Sequence, residues 1–84
     1  MDVAVRRKIE QKISETFANK DEIRDLSAHL SDMDNSRSFV LGIMVGRIYN
    51  SFYYQTRRML GRDPTDSEFQ EFLRLVKNAK LDLW

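Results

Sequence analysis

SRSFVLGIMVGRIYNSFYYQTRRML, residues 36–60, is the stretch that decides the fold. No proline interrupts it, and apolar residues recur every three or four positions, so it reads as one α-helix of about seven turns. At about 100° per residue, Leu41, Val45, Ile48, Tyr49, Phe52, Thr56, Met59 and Leu60 share one arc. Arg47, Asn50, Ser51, Tyr54, Arg57 and Arg58 share the opposite arc. The later two-thirds of the helix therefore has an apolar side and a wet side rich in Arg and Tyr. The first third, Phe39 to Val45, is apolar nearly all round. Val40, Ile43 and Met44 project on the same side as Arg47 and Tyr54. A helix that is apolar on every side must be covered on every side. The first expectation is that three other short helices cover it as the centre of the core; left uncovered by the rest of the chain, Val40, Ile43 and Met44 form an interaction patch. Gly42 and Gly46 give a G-x-x-x-G spacing here, each about 1 kcal/mol worse than Ala in a helix interior. Close approach of another helix of the same chain is the expected compensation, ahead of a dimer seam.

Beyond Leu60, Gly61 reads as a helix stop, Pro64 as a break, and Thr65 with Glu68 as a capping box that opens a helix over 65–80. Its apolar face is Phe69, Phe72, Leu73, Val76 and Ala79. Leu81, Leu83 and Trp84 follow as an apolar tail expected to fold back over the core. LGRDPTDSEF, residues 60–69, resembles the L-G-R-E-P-T-x-E-E pattern in the third region of bacterial primary sigma factors. What that resemblance implies is a helix stop, a turn and a cap, and no activity.

Toward the N-terminus, DMDNS at residues 32–36 breaks the chain with three cap-competent residues, Asp34, Asn35 and Ser36. A helix is expected over 20–33, capped by Asn19 with Glu22, its buried stripe Ile23, Leu26, Leu30 and Met33. Another is expected over 2–17, with Asp2 at its start and Val5, Ile9, Ile13 and Phe17 on one stripe. Strand alternation is absent. The reading is an all-α, compact four-helix bundle-like single domain, residues 1–84, with a long central third helix over 36–60. Its expected core is Val5, Ile9, Ile13, Phe17, Ile23, Leu26, Leu30, Leu41, Val45, Ile48, Phe52, Met59, Phe69, Phe72, Leu73 and Val76.

Composition narrows function mostly by exclusion. The 84 residues include no Cys and one His, which removes the usual zinc sets and any thiol nucleophile. No apolar run approaches the roughly 20 residues of a membrane span, and MDVAVRRKIEQ has no signal-peptide core. The expected location is cytoplasmic, with no membrane partner. Net charge is only +1, which argues against nucleic-acid binding by bulk charge. The distribution is more informative: residues 35–62 carry five Arg and no acid, whereas residues 20–34 carry five acids against two basic groups.

No residue set demands catalysis. His29 lies at the edge of a buried stripe and reads as a core-edge side chain capping a carbonyl. Asp21 and Asp25 share a helix face but read as solvated or Arg-paired, and Asp63-Pro64-Thr65-Asp66 lacks the calcium-loop pattern. The helical arginines are expected, first, to pair with acids of the second and fourth helices. Arg6, Arg7, Lys8 and Lys12 read as a solvated face diluted by Glu10 and Glu15. The functional expectation is a non-enzymatic interaction module without metal or cofactor. It binds another protein, or itself as a homodimer, through Val40, Ile43, Met44, Arg47 and Tyr54. The alternative is a nucleic-acid-binding domain using Arg47, Tyr54, Arg57, Arg58 and Arg62.

Overall fold

The computed structural model describes residues 1–30 and 37–81. Four helices follow one another: α1 (Val3–Ala18), α2 (Lys20–Leu30), α3 (Arg37–Leu60) and α4 (Asp66–Ala79). The chain is all-α, as its periodicity predicts. The expected end of the second helix at Met33, the DMDNS break and the tail residues Leu83 and Trp84 lie outside the described residues. At 1.5 Å per residue α3 is about 36 Å long, close to the molecule's longest dimension of 40 Å. The other helices pack around it, α1 most extensively.

Local signals set the helix ends. Asp2 caps α1, its Oδ1 accepting from the backbone N–H groups of Ala4 at 2.9 Å and Val5 at 3.0 Å. Thr65 and Glu68 form the full capping box of α4. Gly61, at φ 67°, ends α3, a left-handed conformation in which a Cβ would be strained. Asn19 departs from expectation. Its side chain closes α1, the amide donating to the Glu15 carbonyl at 3.0 Å, while its backbone carbonyl opens α2 by accepting from the Ile23 N–H at 3.1 Å. As the single residue between the two helices, it bonds to both.

The core is a line along α3, Val40, Met44, Ile48 and Phe52, all at most 1% exposed, continued by the buried Thr56. Val5 and Ile9 of α1, Ile23 of α2, Phe72 of α4 and Leu81 close around it. This corrects the wheel. Residues four apart drift by about 40° around a helix, so an i, i+4 ridge wraps obliquely around the axis. A fixed arc selects Leu41 and Val45, which are half-buried, and misses Val40 and Met44, which are sealed. Leu26, Leu30 and Leu73, expected in the core, are exposed. α2 buries only Ile23 and Ser27, and Leu30 beyond them is 67% exposed. In α4 the buried line passes through Glu68 and Phe72, with Leu73 on its flank.

α3 and α4 meet through rings. Phe52 stacks on Phe72 at 4.5 Å between centroids, and Tyr49 meets the edges of Phe69 at 6.3 Å and Tyr53 at 5.3 Å. The glycines do not mark a close approach. A Cβ built on Gly42 or Gly46 would have nothing within 4 Å, and both positions are exposed.

Candidate functional site

The burial of Val40 and Met44 dismantles the expected apolar patch, because their methyl and thioether groups are core. Ile43 is half-buried and lines an open groove with Leu26, Asp25 and His29 of α2. His29 is exposed, not at the core edge as expected, and its ring nitrogen Nδ1 meets the Asp25 carbonyl at 2.7 Å, the local bond expected of it. Arg47 borders this groove as well as a larger one on the other side of α3.

That larger groove lies between α1 and α3, encloses about 440 Å³ and is lined by Lys8, Gln11, Lys12, Glu15, Arg47, Asn50, Ser51, Tyr54 and Gln55. Two helices set its chemistry. On α1, Lys8, Lys12 and Glu15 follow an i, i+4, i+7 spacing, one face of a helix. On α3, Arg47, Ser51 and Tyr54 line up in the same way. Tyr54 is 57% exposed and, with Asn50, also lines a second hollow beside Tyr53, Arg57 and Arg58. Lys8 and Lys12 were legible only as part of a basic helix. Their spacing with Glu15 carried the signal, but which helix they would face did not show.

The arginines divide by partner, and only one reaches an acid of α4. Arg62 makes a two-point pair with Glu68, Nη1 to Oε1 at 2.8 Å and Nη2 to Oε2 at 3.2 Å. Glu68 also accepts from the Thr65 backbone N–H at 2.9 Å. These bonds, that from Arg62 foremost, hold the Glu68 carboxyl down at about 2, from an ordinary 4.5. Arg62 is thus committed to the α3–α4 turn and stands apart from the groove. Arg57 pairs with Asp63 of the same turn and lies over the Tyr53 ring at 5.2 Å. Arg58 donates to the side-chain oxygen of Gln55 at 3.2 and 3.0 Å, not to a carboxylate. Arg47 reaches Glu15 of α1 at 3.5 Å, so among the described residues the expected pairing of these four arginines with α2 and α4 is seen for Arg62 alone.

Among the described residues there is no group of three or more His, Cys, Asp or Glu placed to hold a metal ion. Nor is any helix there long and apolar enough to cross a membrane. Comparison of the chain with protein families, with curated proteins and with solved structures finds no match.

Proposed function

We propose that this chain is a small non-enzymatic interaction module that binds another protein through the wet side of α3, with the α1–α3 groove as its working surface. One observation carries the reading: an exposed Tyr54 stands beside Arg47 in a groove where Lys8 and Lys12 outnumber the single acid, Glu15. Tyr and Arg are the side chains that most often anchor protein interfaces. A catalytic reading finds less support, since among the described residues the one strongly shifted carboxylate, Glu68, serves a helix cap. Self-association through this face is also less favoured. A twofold pair would set Lys8, Lys12 and Arg47 against their own copies, and like charges repel across an interface.

A photo-crosslinking residue in place of Tyr54 tests the reading. The expected product is an adduct of discrete protein mass that survives nuclease treatment and disappears with Arg47→Glu. No adduct, or only nuclease-sensitive adducts, overturns it.

The second reading is a single-stranded nucleic-acid site using Arg47, Tyr54, Arg57 and Arg58. Its supporting observation is that Arg58 spends its donors on an amide, leaving its charge available beside Tyr54. Such binding weakens steeply with salt as counterions are released.

A further inference from the structure

Resting on that proposal, we infer that the α1–α3 groove takes an acidic protein segment, and that Glu15 holds the place of the segment's carboxylate until it arrives. A single oxygen of Glu15, Oε1, lies 3.2 Å from Lys12 Nζ and 3.5 Å from Arg47 Nη2. A carboxylate thus already sits between cations of two different helices. It sits loosely, because charge-assisted N–H···O bonds close to about 2.7–2.9 Å when well made, as Arg62 shows with Glu68 at 2.8 Å. The Glu15 side chain is 55% exposed, so it can swing out at little cost in packing.

α1 has no need of that charge. Glu15 falls in the last turn of Val3–Ala18, where an acid opposes the helix dipole. The bonds that end the helix there use the Glu15 backbone carbonyl, which accepts from the Asn19 backbone and side-chain amides. Once Glu15 turns away, Lys8, Lys12 and Arg47 face the ligand with no acid among them.

At its Arg47 end the groove favours a short acidic segment over a long polyanion. From Arg47 to Tyr54 the groove runs about 10 Å along α3, the length of three or four extended residues. Past Arg47 the next groove is bordered by Glu22 and Asp25, which repel a polyanion continuing in that direction.

The test is a titration of the ¹⁵N-labelled chain at low salt with acetylated hexaglutamate amide and, separately, with a six-residue oligothymidylate. Wild type, Glu15→Gln, Lys12→Ala and Arg47→Ala are compared. Hexaglutamate is expected to shift the amides of residues 8–15 and 47–54. Glu15→Gln should bind it about three- to ten-fold tighter, through loss of one like charge, and Lys12→Ala and Arg47→Ala several-fold weaker. Groove binding that Glu15→Gln fails to tighten overturns the role of Glu15 and leaves the proposed function standing. Oligothymidylate in the groove without hexaglutamate overturns the ligand class in favour of the second reading. If neither probe moves the groove amides, the inference falls, and the adduct at position 54 decides separately whether the proposed function falls with it.

Discussion

The rings of Phe52 and Phe72 lie parallel, 4.5 Å between centroids and 9° between planes, and they join α3 to α4 across the core. Both residues are almost fully buried. Truncating Phe52 to Ala should destabilise the chain by about 3–5 kcal/mol, as a lost ring leaves a cavity. In a double-mutant cycle with Phe72→Ala, the pair should couple by about 0.5–1.5 kcal/mol. Urea unfolding followed by circular dichroism measures both. Additive losses would show that the two rings do not depend on each other.

Two buried threonines should respond differently to valine. Thr56 Oγ1 donates to the Phe52 carbonyl at 2.8 Å. Among the described residues Thr16 Oγ1, on α1 and equally sealed, has no hydrogen-bond partner. Removing an unsatisfied buried hydroxyl relieves desolvation without breaking a bond. Thr16→Val should therefore be more favourable than Thr56→Val by about 1 kcal/mol, read from denaturation midpoints.

Acid should weaken the α3–α4 turn through Glu68. Its folded-state pKa of about 2 lies below the ordinary 4.5, so the unfolded chain takes up the proton more readily. The Arg62–Glu68 contribution is then complete above pH 4.5 and is lost as pH falls toward 2. In thermal melts across that range Glu68→Gln should give a flatter Tm profile than wild type, starting from a lower Tm at neutral pH. Parallel profiles would show that the pair adds nothing.

The three glycines should separate into two kinds. At Gly42 and Gly46 an added Cβ meets only open space and the backbone is helical. Ala at either position should stabilise by about 0.5–1 kcal/mol. At Gly61, φ 67° is a conformation that L side chains rarely adopt, and Ala there should cost about 1 kcal/mol. Chemical denaturation of the three single variants settles the signs.

The helices were legible because their signals are local: Asp2, Gly61 and the Thr65–Glu68 box each act within one turn. The core was legible where one spacing sufficed, as for Val5, Ile9, Ile48, Phe52 and Phe72. It was misread where the answer depends on how helices cross. Val40 and Met44 look like an outer face only if the buried line runs straight along α3. The site was half visible for the same reason. Arg47 and Tyr54 stand out on one helix, but Lys8, Lys12 and Glu15 become their neighbours only through the packing of α1, which no single helix encodes.

Asn19 is all that separates α1 from α2, and its amides fold back onto α1. The two helices are therefore geared together, with no slack between them. Residues inserted after Asn19 would put slack into this link and free Ile23 to leave its seat. The short connection makes the end of the first helix the part that aims the second.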